Sequence, residues 1–144
     1  MAANVEGINK WHIFQAKFSH MNNNLISKIG AILYSLVMIM FGINHLKAGA
    51  AMAGYVPAFI PAGAHTFFVY FTGIALILAG IAIILNVKSQ LAAYLLAVLL
   101  LLVALTVQLP PVLNGTDTSG SFFASLLKDI ALTGAALFIG SKGK

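Results

Sequence analysis

The sequence predicts an all-α integral membrane protein, an antiparallel bundle of four transmembrane helices. Only 8% of its 144 residues are charged and 60% are hydrophobic, with a mean hydropathy of +0.98. A water-soluble core of this size does not need that much apolar surface. Four apolar runs, at about 29–46, 66–87, 91–109 and 121–139, are each long enough to cross a bilayer.

The segment 1–25 precedes the first run and is too polar to span a membrane. Large apolar residues recur in it at three- and four-residue steps, which places them on one face of a helix. They are Ile8, Trp11, Phe14, Phe18 and Met21. We expect an amphipathic helix at the cytoplasmic interface with Trp11 at headgroup depth, the alternative being an irregular tail whose aromatic rings pack on the spans. The stretch HMNNN (20–24) predicts a break, with an asparagine capping the first spanning helix, and the transmembrane domain then occupies 26–144.

The three connections between the spans differ in length and composition. NVKSQ (86–90) is so short that the second and third helices must be antiparallel neighbours. The loop after the first span contains Pro57 and Pro61 among apolar residues, and we expect it to fold back as a cap on the end of the bundle. The loop after the third span begins with Pro110 and Pro111, which predict the end of the third helix.

Small residues predict where the helices approach one another. Gly73 and Gly80 lie seven residues apart in the second span, and Ala131 and Ala135 lie four apart in the last. Such residues let helices pack closely in lipid, where no hydrophobic force drives them together. The leucine-rich third span is expected to face lipid.

The lysines predict the orientation of the chain. With four crossings, both termini and the 86–90 connection share one side of the membrane, and six of the eight lysines lie there. They are Lys10, Lys17, Lys28, Lys88, Lys142 and Lys144. The opposite side has only Lys47 and Asp117 in its loops, so the positive-inside rule places both termini in the cytoplasm. We therefore expect a multi-pass protein of the bacterial inner membrane.

Composition also excludes several kinds of function. The chain has no cysteine, which rules out disulfides, thiolate nucleophiles, thiolate metal ligands and dithiol exchange. It has no arginine and no dense basic face, so nucleic acid is not an expected partner. The expected partners are membrane lipids, together with other membrane subunits or further copies of the chain.

Two adjacent ionisable residues, Lys128 and Asp129, lie inside the last span. A charge in hydrocarbon costs about 2.5–3.5 kcal/mol on insertion scales, so each side chain needs a partner or water. Lys128 has a stem long enough to reach the headgroups. Asp129 is too short to do so and points about 100° away from its neighbour around the helix. We therefore expect Asp129 to find hydrogen-bond donors inside the bundle, and the candidates at that end are Asn44, His45, His65 and Gln108.

The other polar side chains near the spans gather at the same end of the predicted bundle. Asn44 and His45 end the first span, His65 precedes the second, Tyr70 follows within it, and Gln108 ends the third. One interpretation is a structural network in which Asp129 binds His45 or loop amides. The other is a small site, open to the outside, for a lipid headgroup, a quinone ring or a metal. The sequence leaves both open.

Metal binding and transport are the weaker interpretations of this cluster. His45, His65 and Asp129 are predicted at similar depth, but no helical two-histidine spacing is present, and we expect no metal site. The single embedded acid lies near one end of its helix and not at mid-membrane, which argues against a proton-coupled exporter.

Three stretches of the chain resemble the DoxX family of small four-span membrane proteins. LLKDIALTGAALFIG (126–140) is similar to the family's closing segment, FGINHLKAG (41–49) to the end of its first span, and GYVPAFIP (54–61) to its proline-containing outer loop. The likeness extends over about 28–140. It implies that Lys128 and Asp129 are the signature pair and that His45 is the polar end of the first helix.

The resemblance implies an accessory or assembly partner of membrane redox or stress-response complexes, since the family takes its name from a subunit associated with thiosulfate:quinone oxidoreduction. The chain departs from the family pattern at two positions. Leu76 or one of its neighbours stands where many members have an acidic residue, and Gln108 stands at a polar position that is often histidine. Both departures remove titratable groups, which disfavours catalysis.

We therefore expect a non-enzymatic accessory or structural subunit of a larger membrane complex, without an assigned catalytic residue or cofactor. Two alternatives stay open. One is a quinone-linked oxidoreductase component in which Asp129 and His45 exchange protons with a quinol. The other is a protein that binds a lipid or another small ligand at an outward-facing polar site.

Overall fold

The computed structural model describes the backbone of residues 2–143 and the side chains of residues 7, 9–15 and 23–143. Within these residues the chain is helical and contains no strand. The helices are α1 (Ala2–Lys47), α2 (Gly49–Met52), α3 (His65–Ile84), α4 (Ser89–Val103), α5 (Leu109–Leu113) and α6 (Ser121–Lys142). A π-helical turn, Ala104–Gln108, joins α4 to α5, and two 3-10 turns, Ala53–Tyr55 and Ala62–Ala64, lie between α2 and α3.

In the part of the chain that is described, four helical segments are long and apolar enough to cross a membrane. They are Asn23–Lys47, Ala62–Ile84, Ser89–Leu113 and Ser121–Lys142. The outer surface of the bundle is apolar: Met40 is 67% exposed, Leu95 61% and Phe138 59%. Such a surface suits lipid and not water. The predicted four-helix membrane bundle is confirmed.

The first helix does not break where the sequence predicted it to break. α1 runs for 46 residues without interruption, through the stretch 20–24. Asparagine within a helix costs less than about 1 kcal/mol relative to alanine, so a short asparagine run does not by itself end a helix. Trp11 and Phe14 are 66% and 53% exposed, and their rings meet edge-on at 5.9 Å. The other predicted members of this apolar face, Ile8, Phe18 and Met21, have side chains outside the described residues. The boundary at 25/26 stays a prediction.

Glycines bring α1 and α3 into close contact. A Cβ atom added to Gly42 would lie 2.6 Å from the carbonyl oxygen of Gly73, and one added to Gly73 would lie 2.9 Å from that of Gly42. A Cβ on Gly80 would lie 2.9 Å from the carbonyl oxygen of Ser35. The two backbones therefore touch, as the small residues Gly73 and Gly80 predicted.

Of the two alanines of α6 predicted at a helix interface, Ala135 packs against the core and Ala131 does not. Gly140 packs against the ring of Tyr94, with Ala136 buried one turn earlier. Ala131, expected at a helix interface, is exposed. The buried residues of α6 follow the spacing 126, 129, 133, 136 and 140, and position 131 falls outside that row.

The third spanning segment is not simply a lipid-facing helix. Ala93, Leu96, Ala97 and Leu100 are buried in the core, while Leu95 on the opposite face is exposed. The sequence could not distinguish the buried face from the lipid-facing face of this span, because lipid and the bundle interior are both apolar and leucine suits either.

The third spanning segment also does not end at the double proline, contrary to the prediction from the sequence. The π-helical turn Ala104–Gln108 interrupts the regular hydrogen bonding just before it, and Pro110 and Pro111 occupy the first turn of α5. Backbone N–H groups in a first helical turn have no intrahelical acceptor, so prolines are tolerated there. The chain therefore continues in helical form to Leu113.

Two connections, 48–64 and 114–120, lie at the same end of the bundle, which we call the long-loop end. At the other end, α3 and α4 are joined by a short turn, as predicted. Its residues Asn86 and Lys88 have positive φ angles of 54° and 47°, and the Ser89 hydroxyl donates a hydrogen bond to Asn86 Oδ1 at 2.8 Å.

Candidate functional site

A cavity of about 480 Å³ lies at the long-loop end, between the spanning helices. Its walls are mostly apolar and include Val69, Leu76 and Leu100. One corner is polar, and the side chains there come from three different helical segments. They are His45, Gln108, Ser125, Lys128 and Asp129.

The connection 48–64 folds back over the end of the bundle and forms part of the cavity wall. Met52, Tyr55 and Pro57 of this connection line the cavity. The Tyr55 ring meets Phe122 of α6 edge-on, with ring centroids 6.0 Å apart. The prediction that this proline-containing loop folds back as a cap is confirmed.

Asp129 lies at the centre of the polar corner, 6% exposed. Gln108 Nε2 donates a hydrogen bond to its Oδ2 atom at 2.6 Å, and Lys128 Nζ lies 3.6 Å from its Oδ1 atom. Gln108 was one of the four candidate donors, so the expectation of a donor inside the bundle is confirmed. The pairing of Asp129 with His45 or loop amides is wrong, since His45 bonds to the Phe41 carbonyl and Lys128 is the other neighbour of the carboxylate.

Lys128 takes a different path from the predicted one. Its side chain, 48% exposed, turns back to Asp129 although the two Cβ atoms diverge around the helix. A four-carbon stem has the reach and flexibility to close that angle. The ammonium group also lies 4.7 Å from the centroid of the Phe41 ring, within the range of a cation–π interaction. Lys128 thereby connects α6 to α1.

Gln108 is a buried polar side chain at the cavity. It lies at the end of the π-helical turn and is 7% exposed. Its Nε2 atom donates to Asp129 Oδ2. Within the described part of the chain, Gln108 Oε1 is buried without a hydrogen-bond partner. π-Helical turns inside α-helices frequently occur at functional sites.

His45 is the fourth predicted residue at the cavity. Its Nδ1 atom lies 2.8 Å from the carbonyl oxygen of Phe41, one turn earlier in α1. A carbonyl only accepts, so Nδ1 carries a proton and donates this hydrogen bond.

The family model of DoxX matches residues 28–109, more than half of the chain. The chain belongs to the DoxX family. No curated protein and no solved structure matches it. The match includes His45 and Gln108 but ends before α6, so the family resemblance drawn from LLKDIALTGAALFIG lies outside the matched range. With its four apolar helices, this DoxX protein is a multi-pass membrane protein.

Three predicted site residues of the DoxX protein lie away from the cavity wall. Asn44 is exposed. Tyr70 is 40% exposed and its ring packs against Gly49. His65 Nε2 donates a hydrogen bond to the Ile60 carbonyl at 2.8 Å, which fixes the capping loop without facing the cavity. The common end predicted for these side chains is thus correct, but four of the seven predicted residues assemble.

Two residues that support the site were not predicted. The Tyr34 hydroxyl donates to the Leu132 carbonyl at 3.1 Å and joins α1 to α6. The Thr133 hydroxyl donates to the backbone carbonyl of Asp129 at 2.7 Å. The signal for Tyr34 was present, because positions 34, 38, 41 and 45 follow the four- and three-residue steps of one helix face.

Among the residues that the structure describes, no three His, Asp or Glu side chains come together as a metal-binding group. His45 and His65, which the sequence placed at similar depth, each bond to a backbone carbonyl of their own neighbourhood.

Proposed function

We propose that this DoxX-family protein is a non-enzymatic accessory membrane protein that binds one small amphiphilic molecule, a quinone-type compound or a lipid, at the long-loop end. The observation that carries the proposal is the cavity of about 480 Å³, whose mostly apolar walls include a polar corner with Gln108, Lys128 and Asp129.

The size and lining of the cavity support a small ligand. Pockets for small molecules typically measure about 300–1,000 Å³ and combine apolar walls with a few placed polar groups. Here the walls come from residues such as Val69 and Leu100, and the polar groups from Gln108 and Asp129. A single ring or a lipid head fits this space, with its apolar tail leaving between helices into lipid.

The lysine distribution supports an orientation for this site. Lys10, Lys88 and Lys142 lie toward the short-turn end, and the positive-inside rule assigns that end to the cytoplasm. In a bacterial inner membrane both termini would then be cytoplasmic, and the cavity would open toward the outer leaflet.

The redox-linked form of this function uses the same residues. Asp129 and His45 both line the cavity, and a carboxylate and an imidazole are suited to exchange protons with a quinol. Such a protein would act as the quinone-binding component of a larger complex.

A second candidate is a purely structural accessory role. It is favoured by the partners that Asp129 already has within the chain, Gln108 at 2.6 Å and Lys128 at 3.6 Å. In that case the polar corner fixes the register of α6 against its neighbours and holds no ligand.

Purification in a mild detergent followed by solvent extraction and mass spectrometry separates the two candidates. Ligand binding predicts a stoichiometric quinone or lipid that is lost in Asp129→Asn and retained in the matched control Tyr70→Phe, which lies away from the cavity. A protein that carries no such molecule, and whose Asp129→Asn variant only unfolds at lower temperature, would support the structural role.

A further inference from the structure

We propose that a groove between α3 and α4 binds an anionic phospholipid, with one acyl chain along the groove and the phosphate group at Lys88. The groove is separate from the cavity at the long-loop end. The proposal therefore does not depend on the ligand proposed for that cavity.

The groove has a volume of about 580 Å³ and lies on the outer surface of the bundle, between α3 and α4. Of the described residues that line it, Lys88 alone is not apolar. From Lys88 to Leu102 the lining extends along α4 for about 21 Å, at 1.5 Å per helical residue. One leaflet contributes about half of a hydrocarbon core of about 30 Å. A lipid acyl chain that enters beside Lys88 can therefore follow the groove to the middle of the membrane.

Small side chains are the reason that the groove is open. Ala79 and Ala92 lie partly buried against the core at its floor. Leu78, Leu91 and Leu95 form its rims and are 61%, 55% and 61% exposed. An unfilled groove would deprive its floor of dispersion contacts, and a flexible acyl chain supplies them.

Lys88 gives the groove a charge at one end. It is exposed and lies between the second and third spans, at the surface of the membrane. The carboxylate side chains that the structure describes, Asp117 and Asp129, both lie at the long-loop end, so Lys88 has no described carboxylate near it. A lysine stem can lie along apolar surface while its ammonium group stays among the head groups. Basic residues beside clefts between spanning helices bind anionic lipid head groups.

The backbone at position 88 does not favour lysine. Lys88 has φ 47° and ψ 39°, which is the left-handed region. Residues other than glycine rarely adopt this conformation, and asparagine adopts it far more readily than most. Asparagine does occupy the other left-handed position of this turn, Asn86, with φ 54°. A lysine at 88 is therefore explained by its side chain and not by the turn.

The test uses the full chain, delipidated in detergent and titrated with dioleoyl phosphatidylglycerol or dioleoyl phosphatidylcholine. These lipids share their acyl chains and differ in net charge, and native mass spectrometry measures how much of each is bound. The anionic lipid should bind about fivefold more tightly, which corresponds to one lysine near an anionic lipid. Lys88→Asn should remove most of this preference, and Lys88→Arg should retain it.

Lys142→Asn is the matched control. Lys142 lies at the same end of the bundle, but its ammonium group is 5.0 Å from the centroid of the Phe138 ring and does not line the groove. This variant should retain the preference for the anionic lipid. In lipid-free detergent, Lys88→Asn should unfold at no lower temperature than the unmodified protein, because asparagine suits the left-handed backbone. A purely structural role of Lys88 predicts the opposite, a loss of thermal stability without a change in lipid preference.

Equal affinity for the two lipids would overturn the proposal, and so would a preference that survives in Lys88→Asn. The position of the acyl chain is tested by Ala82→Leu, which places a larger side chain in the groove and should weaken the binding of both lipids. Unchanged binding in that variant would show that the chain lies elsewhere. A stable dimer that Ala82→Leu dissociates would also overturn the proposal, because a second copy would then occupy the groove. Where Ala82→Leu does not fold, the Lys88 variants still decide the question.

Discussion

Replacing Gly42 by alanine would force α1 and α3 apart. The added Cβ atom would lie 2.6 Å from the carbonyl oxygen of Gly73 and 2.6 Å from Ile77 Cγ1. The first distance is 0.8 Å short of the 3.4 Å at which ordinary contact begins, and the atom it meets is backbone. A rotamer change of Ile77 relieves the second contact but not the first. Overpacking of this kind costs about 1–3 kcal/mol of unfolding free energy.

The chain offers a matched control in Gly134, which also lies within a spanning helix. A Cβ atom added there would meet nothing within 4 Å. Alanine is favoured over glycine inside a helix by about 1 kcal/mol in water-soluble hosts, so Gly134→Ala should be neutral or slightly stabilising.

Thermal unfolding of both variants in the same detergent, followed by the loss of the monodisperse peak in size-exclusion chromatography, compares the two positions. Gly42→Ala should unfold at a lower temperature than the unmodified protein, and Gly134→Ala should not. If Gly42→Ala were as stable as Gly134→Ala, the direct backbone contact between α1 and α3 would not contribute to the stability of the bundle.

Three further predictions concern the polar groups. Asp129→Leu and Gln108→Leu should each insert normally and lower the unfolding free energy by about 1–3 kcal/mol, because each leaves a buried partner unpaired. The double variant should lose less than the sum of the two single losses, and additive losses in detergent unfolding would contradict a direct interaction between the two side chains. Lys128→Gln should lower the unfolding free energy less than Asp129→Leu. Tyr34→Phe should cost about 1 kcal/mol in the same assay, and an unchanged midpoint would show that its hydroxyl bond does not stabilise the bundle. Slight desolvation acts to raise the pKa of Asp117, but hydrogen bonds from backbone N–H groups of α6 outweigh it, so the pKa lies below its ordinary 3.8. The stabilisation that these hydrogen bonds give to the start of α6 is present above that value and is lost as pH falls through the lowered pKa. Hydrogen exchange at the start of α6 should show this loss in the unmodified protein and not in Asp117→Asn.

Hydropathy determined the spans because the cost of exposing polar backbone to lipid is large compared with local preferences. The glycines at 73 and 80 correctly predicted a helix contact, because close packing of helices in lipid needs small residues. The asparagines at 20–24 and the prolines at 110–111 were weaker signals. Asparagine lowers the local helix preference only slightly, so the asparagines do not end α1. Prolines are tolerated in a first helical turn, where the backbone N–H groups have no intrahelical acceptor, so the prolines do not end the third span.

The position of the candidate site was predictable, but the pairing within it was predicted only as a set of candidate donors. Topology alone brings the ends of α1, α4 and α6 to one end of the bundle, so Gln108 was one of four candidate partners of Asp129. Their direct bond depends on the π-helical turn Ala104–Gln108, which inserts an extra residue and so rotates the residues after it by about 100° relative to a regular helix. A regular helical periodicity counted along the sequence cannot predict that rotation.

The hydrogen bond between Gln108 and Asp129 joins two parts of the chain that differ in their relation to the family. Gln108 lies within the matched range 28–109, and Asp129 lies beyond it. Gln108 Nε2 donates to Asp129 Oδ2 at 2.6 Å, the kind of hydrogen bond that a buried carboxylate needs. The polar corner of the cavity is therefore not a property of the matched segment alone. It depends on α6, which contributes Lys128 and Asp129 to the cavity wall.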